Sequence, residues 1–258
     1  MSGAGVTVTV ITLNEAANIE ACLASVAWAN EVIVVDSGST DGTADLARAK
    51  GAQVIVRDWP GYAAQKNFAA DQAAHDWILS VDADERVTPA LAEEIERTLA
   101  GDPAAAGYRV PRVAFHLGRW IRTTDWYPDY QLRLYHRTRA SWPPRLVHES
   151  VTANGPVAEL AGELEHYAYR DVSHHCQTMD RYTTLAAQEM QANGRRAGAA
   201  DIVLQPAAAF ARNYLLKRGC LDGTAGLLIS TMNAYYVFLK FAKLWDLERR
   251  SRESSPGA

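Results

Sequence analysis

Four short runs of β-branched and apolar residues, separated by segments of helical pattern, leave this chain few folds to choose from. They lie at 6–12 (Val-Thr-Val-Thr-Val-Ile-Thr), 31–35 (Glu-Val-Ile-Val-Val), 53–56 (Gln-Val-Ile-Val) and 77–81 (Trp-Ile-Leu-Ser-Val). Each has strand length and the residue types that fit a pleated surface. Between them, 14–24 reads as a helix with Ile19, Cys22, Leu23 and Val26 on one face, and 44–50 and 62–74 read as helices too. A further helix over 88–99 opens with Thr88 as N-cap and Pro89 at the first helical position. Strands alternating with helices predict an α/β fold with a parallel sheet covered on both faces.

In such a sheet, ligands bind beyond the carboxyl ends of the strands. Three polar clusters fall there: Thr12-Leu13-Asn14-Glu15, Asp36-Ser37-Gly38-Ser39 and Asp82-Ala83-Asp84-Glu85. In the last, an apolar strand runs directly into three carboxylates. Residues i and i+2 of an extended segment share a side, so Asp82 and Asp84 are expected to converge on one point. Two carboxylates can hold a hard divalent cation whose shell substrate phosphates complete. A solvated acidic turn is the plain reading of an isolated D-x-D, and the coincidence of three clusters on one edge favours a nucleotide site. No G-x-x-x-x-G-K-[ST] occurs, which excludes a P-loop, and no G-x-G-x-x-G follows the first strand.

Composition narrows the partners. Hydrophobic residues at 48% and charged residues at 22% describe an ordinary globular protein, and a net charge of −4 gives no reason to expect nucleic acid. The 258 residues suffice for one large α/β domain with an appendage, or for two small domains. Cys22, Cys176 and Cys220 are odd in number and far apart, so neither a disulfide framework nor a structural zinc site is expected, and a reducing compartment fits. No basic flank precedes Val6, and the first apolar strand is too short for a signal sequence.

The runs V-T-V-I-T-L-N-E at 8–15, E-V-I-V-V-D-S-G-S-T-D-G-T at 31–43, Q-K-N at 65–67 and W-I-L-S-V-D-A-D-E at 77–85 resemble glycosyltransferase family 2, whose members are inverting and have the GT-A fold. Further runs look like one branch of it, the lipopolysaccharide-core glucosyltransferases of Gram-negative bacteria. These are W-Y-P-D-Y-Q-L-R-L-Y at 126–135, V-H-E at 147–149, H-Y-A-Y-R-D at 166–171, R-Y-T-T-L-A-A at 181–187 and K-R-G-C-L-D-G at 217–223. The resemblance implies a Rossmann-like, mostly parallel sheet flanked by helices. It implies a catalytic domain over 1–170, with the donor part at 1–100 and the acceptor part at 101–170, and a helical C-terminal extension over 171–258.

Carried over residue by residue, the resemblance puts base and ribose binding on Thr12, Asn14 and Glu15, with Asp36 accepting from the uracil ring nitrogen. Lys66 falls near the base or phosphates, Asp82 (with Ala83 beside it) contacts ribose or reaches the metal through water, and Asp84 ligates a Mg²⁺ or Mn²⁺ ion. His166 stands where the family often completes the metal site. Inverting transfer needs the diphosphate's growing charge to be stabilised and the acceptor hydroxyl to be deprotonated. By chain order Glu149 occupies the base position and Asp129 is its rival; the sequence lacks the family's usual E-D pair there. Asp36 as a turn or capping acid, and Glu149 as a surface carboxylate paired with Arg145, are the plain alternatives. The implied donor is a nucleotide sugar, UDP-glucose foremost, and the implied acceptor a glycolipid or saccharide of the cell envelope.

Other features divide between readings. The adjacent pair His174-His175 cannot face one ion together. Trp120, Trp126, Tyr127, Tyr130 and Trp142 could line a sugar or fill a core, and the arginines of 119–145 could meet phosphates or solvent. A sugar-phosphate nucleotidyltransferase would need a glycine- and arginine-rich run near the N-terminus, which is lacking, and a silent scaffold would be expected to lose Asp84 or Glu149. The stretch 223–239 carries no charged residue and is flanked by Lys217, Arg218, Lys240, Lys243, Arg249, Arg250 and Arg252. It is too short and interrupted to span a bilayer, and it suits an interfacial helix on the inner face of the cytoplasmic membrane, or else a helix packed on the catalytic domain or in a dimer contact.

Overall fold

A computed structural model describes residues 4–101, 103–144 and 150–253. The chain divides into two compact units, one of residues 1–113 and 129–168, the other of 114–128 and 169–258.

The first unit opens with β1 (Val6–Thr12), α1 (Ile19–Ser25), β2 (Glu31–Asp36), α2 (Thr43–Ala49), β3 (Gln53–Val56), α3 (Tyr62–Asp71) and β4 (Trp77–Asp82). It continues through β5 (Glu85–Val87), α4 (Pro89–Ala100) and β6 (Gly107–His116), the last of which runs on into the second unit. Its sheet has the order β3-β2-β1-β4, all parallel, and then the antiparallel β8 (Asp129–His136) leads to β6. The expected α/β architecture is present, with an antiparallel half added to the parallel one.

Alternation along the strands explains the two cores. Val6, Val8 and Val10 of β1 and Trp77, Leu79 and Val81 of β4 face one cluster with Ile19, Leu23, Leu91 and Ile95. Ile33, Val35 and Ile78 face the other, with Ala69 and Ala70 of α3, Tyr135 and Trp142. Each fully buried Val, Leu or Ile contributes on the order of 1.5–3 kcal/mol. Thr88 caps α4 by accepting from Leu91 N at 3.3 Å, as its sequence position predicts.

The first helix starts later than its periodicity suggests, at Ile19 rather than residue 14. Asn14 has φ 56°, in the left-handed region, where its short polar side chain is tolerated. Its Oδ1 accepts from Thr40 N at 2.9 Å while its own N donates to Ser39 Oγ at 2.8 Å. The residues after β1 are therefore tied to the loop after β2 instead of joining the helix.

The second unit contains β7 (Arg119–Ile121), which pairs with the end of β6. It also holds α5 (Val172–Ala192), α6 (Ala199–Ala211) and α7 (Gly223–Glu253). Leu244 and Phe241 of α7 pack with Ala187 of α5 and Ala197. The uncharged stretch 223–239 is thus split lengthwise: Ile229 and Met232 are buried, whereas Leu227, Leu228, Tyr235 and Phe238 are exposed. Among the described residues no helix is long and apolar enough to cross a membrane.

Candidate active site

The register of β1, β2 and β4 sets Thr12 beside Asp36 and Ile11 beside Asp82, so three of the polar clusters stand on one edge of the first unit. The loops above them are cross-linked. Glu15 N donates to Thr43 Oγ1 at 2.9 Å and Ala16 N to Asp41 Oδ2 at 3.0 Å. Asp36 is buried, and its Oδ2 accepts from Gly38 N at 3.0 Å and Ser39 N at 2.8 Å. Its carboxylate thereby fixes the turn Ser37-Gly38-Ser39. Thr12 is buried as well, and its Oγ1 has no hydrogen-bond partner among the described residues.

The D-x-D segment departs from the extended-chain expectation. Strand β4 stops at Asp82, Ala83 and Asp84 form a turn, and β5 begins at Glu85. The turn breaks the period of two, so Asp82 and Asp84 take different partners. Asp82 Oδ1 accepts from Lys66 Nζ at 2.7 Å and Oδ2 from Arg133 Nη2 at 2.7 Å. Burial alone would raise the Asp82 pKa, but Arg133 and Lys66 outweigh it and hold the carboxyl well below its usual range. Burial lowers the Lys66 ammonium, with Asp82 opposing, and the same ammonium sits 4.3 Å above the Trp142 ring.

Asp84 faces His166. The antiparallel pairing of β9 (Leu164–His166) with β5 sets His166 opposite Glu85, and Asp84 Oδ2 lies 3.4 Å from His166 Nε2. Burial pushes the Asp84 carboxyl up, and the hydrogen bond and charge of His166 bring it down to a net lowering. A carboxylate oxygen beside an imidazole nitrogen is a donor set that Mn²⁺ accepts, with substrate oxygens and water left to fill the shell. Among the described residues no group of three or more His, Cys, Asp or Glu is arranged to hold a metal ion. Asp84 and His166 are the donor groups that the described residues bring together at this turn.

Behind the turn lies a charge network that sequence reasoning did not assign. Glu85 is fully buried; its Oε1 accepts from Arg133 Nη2 at 2.6 Å and Arg112 Nη1 at 3.0 Å, and its Oε2 from Asp82 N at 2.9 Å. Arg112 also donates from Nε at 2.9 Å and Nη2 at 2.6 Å to Asp129 Oδ2, while Gln131 Nε2 donates to Asp129 Oδ1 at 2.6 Å. Asp82, Glu85 and Asp129 thus face Lys66, Arg112 and Arg133. A buried charge is tolerated when paired in this way, and removing one member leaves an uncompensated charge that costs about 3–5 kcal/mol. The signal in the sequence was faint: Gln131, Arg133 and Tyr135 recur at the strand period of two among apolar neighbours. Glu149, His148 and Arg145 lie outside the described residues.

Residues 7–155 match the description Glycosyl transferase family 2. The chain belongs to that family. A lipopolysaccharide core biosynthesis glycosyltransferase of Rhizobium meliloti (strain 1021), LpsC, is 30% identical over 244 residues, covering 92% of this chain and 90% of that protein. An uncharacterized glycosyltransferase of Rickettsia bellii (strain RML369-C) is 32% identical over 252 residues, 92% of this chain and 85% of its own. Among solved structures, a mannosyltransferase from Pyrobaculum calidifontis, in complex with GDP-Man and Mn²⁺, superposes with a TM-score of 0.57 at 18% identity. That superposition covers 95% of this chain and 88% of the other. Glucosyl-3-phosphoglycerate synthase from Mycobacterium tuberculosis, with Mn²⁺, UDP and phosphoglyceric acid, gives 0.50 at 18% identity over 76% and 81%. These likenesses establish the GT-A fold, and this family 2 chain is a glycosyltransferase.

The remaining aromatic and histidine candidates of this glycosyltransferase fall in both units. In the first, Trp142 is buried under Lys66 and donates from Nε1 to Tyr135 Oη at 3.2 Å, whereas Tyr130 is exposed. In the second, His175 stacks on Tyr169 with ring centroids 4.0 Å apart and lies 5.1 Å from His116 and 5.5 Å from Trp126. His174 N meets the capping carboxylate of Asp171 at 2.7 Å, so the two adjacent histidines do separate work.

Proposed function

We propose that the enzyme moves a sugar, glucose foremost, from a nucleotide diphosphate donor such as UDP-glucose to a lipopolysaccharide-core or related envelope glycan, with inversion. The observation that carries this reading is the Asp84–His166 pair at the turn after β4, beside the edge where Thr12 and Asp36 stand in register. The acceptor class follows from the similarity to a lipopolysaccharide core glycosyltransferase.

In this reading Thr12, Asn14, Glu15 and Asp36 hold the base and ribose. Asp36 has two oxygens and about four lone-pair sites, so it can accept from a uracil N–H while keeping its turn closed. The unpartnered Thr12 Oγ1 is a further hydrogen-bonding group at the same edge. Lys66 and Arg133 keep Asp82 ionised, so it serves as an acceptor for ribose hydroxyls or metal-bound water, with Ala83 giving the turn its small side chain. Asp84 and His166 would hold Mg²⁺ or Mn²⁺, which supplies a Lewis acid for the leaving diphosphate. The acceptor hydroxyl gives its proton to a carboxylate, either Glu149 or Asp129. Asp129 already accepts from Arg112 and Gln131, an arrangement that suits holding position better than taking a proton.

A glycolipid acceptor would bring the enzyme to the inner face of the cytoplasmic membrane. The testing experiment is a panel of UDP-, GDP- and ADP-sugars, scored for metal-dependent thermal stabilisation and for donor hydrolysis. Stabilisation and turnover with UDP-glucose are expected, since a ligand of the folded state raises its stability by mass action. Stabilisation without any diphosphate release would mean a binding scaffold, and preference for a GDP-sugar would overturn the donor assignment.

A further inference from the structure

The uncharged stretch 223–239 opens α7, and the turn that precedes that helix carries exposed leucines. Helices α6 and α7 form an antiparallel hairpin: they pack along each other, and Ala197 N, just before α6, donates to Glu248 Oε1 near the far end of α7 at 3.1 Å. The hairpin turns through a π-helical segment, Arg212–Leu216, and a 3-10 segment, Gly219–Asp222.

The inner side of this turn is closely built. A Cβ on Gly226 would lie 1.8 Å from Gly219 O, and one on Gly219 would lie 2.9 Å from Asn213 O, so only glycine permits these approaches. Asn213 is fully buried, accepts from Asp125 N at 2.8 Å, and donates to Ala209 O at 3.1 Å. Thr124 N donates to Lys217 O at 2.9 Å, and Arg119 Nη2 meets Asp222 at 2.9 Å. The backbone is thus fixed from within. What it presents outward is apolar: Leu215, Leu216 and Leu221 are 62%, 78% and 71% exposed. Val203 and Leu204 of α6 and Leu227 and Leu228 of α7 are exposed too.

Charge selects the occupant. Across 202–239 the charged residues are Arg212, Lys217, Arg218 and Asp222, and the one acid is buried against Arg119. Arg212 pairs with Asp125, whereas Lys217 and Arg218 are exposed and have no carboxylate partner among the described residues. At the other end of α7 the cations are committed. Lys243 Nζ meets Asp180 at 2.7 Å, Arg249 and Arg250 meet Asp246 at 3.0 and 2.7 Å, and Arg252 meets Glu248 at 3.6 Å. Leucines exposed beside Lys217 and Arg218, with the nearby acids Asp125 and Asp222 held by Arg212 and Arg119, match a surface that is apolar below and anionic above. We propose that the turn over 212–222 is the docking surface of this enzyme for an anionic lipid bilayer, inserting Leu215, Leu216 and Leu221 while Lys217 and Arg218 meet headgroup phosphates. The proposal rests on the reading of a lipid-borne acceptor for its purpose, and on the second unit alone for its geometry.

The test uses the full chain and vesicles of phosphatidylcholine with and without phosphatidylglycerol. Two double variants are compared with wild type, Leu216→Ser with Leu221→Ser, and Lys217→Glu with Arg218→Glu. All four side chains are exposed, so melting temperatures are expected to stay near wild type. Wild type is expected to co-sediment with the anionic vesicles, less so as salt is raised, and each variant to bind on the order of tenfold more weakly or worse. Vesicle binding by both variants equal to wild type overturns the proposal. So does a wild type that ignores vesicles and forms a dimer by light scattering that the leucine variant dissolves, which would assign the surface to a second copy. Donor hydrolysis in solution separates the two readings. If it persists while vesicle binding is unaffected by the variants, only the docking surface falls. If vesicle binding behaves as expected but no nucleotide sugar is turned over, the docking surface stands and the transferase reading falls.

Discussion

Arg133 divides one guanidinium nitrogen between two carboxylates: its Nη2 donates to Asp82 Oδ2 at 2.7 Å and to Glu85 Oε1 at 2.6 Å. The first of these acids is partly exposed at the strand end and the second is wholly buried. One side chain therefore couples the charge at the strand end to the charge that anchors the turn. Removing it with Arg133→Met leaves Asp82 to Lys66 and Glu85 to Arg112, one cation fewer than the buried acids need, and a loss of about 3–5 kcal/mol in unfolding free energy is expected in a urea titration. Arg133→Lys, which retains the charge without the fork, is expected to fall between the two.

Asp84→Ala is expected to leave the fold intact, since among the described residues the carboxylate pairs with the His166 imidazole, and to lower turnover by about 10²-fold or more. His166→Ala should act on the same step more mildly, raising the Mn²⁺ concentration needed for half-maximal rate. Initial rates measured across a metal titration, with a chelator control, check both. Full activity of Asp84→Ala, or of wild type in excess chelator, would remove the metal from the reaction.

Glu149→Gln and Asp129→Asn compete as tests of the proton acceptor. Loss of a general base is worth roughly 10²–10⁴-fold in rate with donor binding retained. The larger effect is expected from Glu149→Gln. Asp129→Asn loosens Arg112, whose Nε and Nη2 both donate to that carboxylate, and should show mainly in stability. A reversed pattern in single-turnover transfer would make Asp129 the base.

The histidines of the second unit predict an acid-sensitive fold. Burial pushes His175 down from an ordinary value of 6.5 to about 4, aided by His116 and His174, and burial lowers His116 as well. Between pH 6.5 and 4 the unfolded chain takes up a proton on His175 that the folded chain refuses. Stability is therefore full above this window and is lost as pH falls through it. A decline of roughly 5 °C or more in Tm between neutral pH and pH 4.5 is expected from this source. His175→Phe, which preserves a ring against Tyr169, should flatten that part of the profile in a pH series of thermal melts.

The four parallel strands, their succession along the chain and the edge where the three polar clusters gather were legible from local pattern, whereas the antiparallel strands were not. Val8, Val10, Leu79 and Val81 alternate with residues of the opposite face, and the turn residues Asn14, Asp36-Ser37-Gly38 and Asp82-Ala83-Asp84 follow the strands directly. Such signals are short-range, because strand period, capping and turn chemistry are set by residues a few positions apart. Which charges meet was decided by tertiary structure. Arg133 lies 51 residues from Asp82 and 48 from Glu85, and only the antiparallel β4–β8 pairing brings them together. Likewise α7 displays an apolar run in the sequence, but packing on α5 and α6 takes one face into the core and leaves Leu215, Leu216 and Leu221 of the preceding turn outside. Hydropathy is a property of a residue, whereas exposure and ion pairing belong to the neighbours that folding supplies.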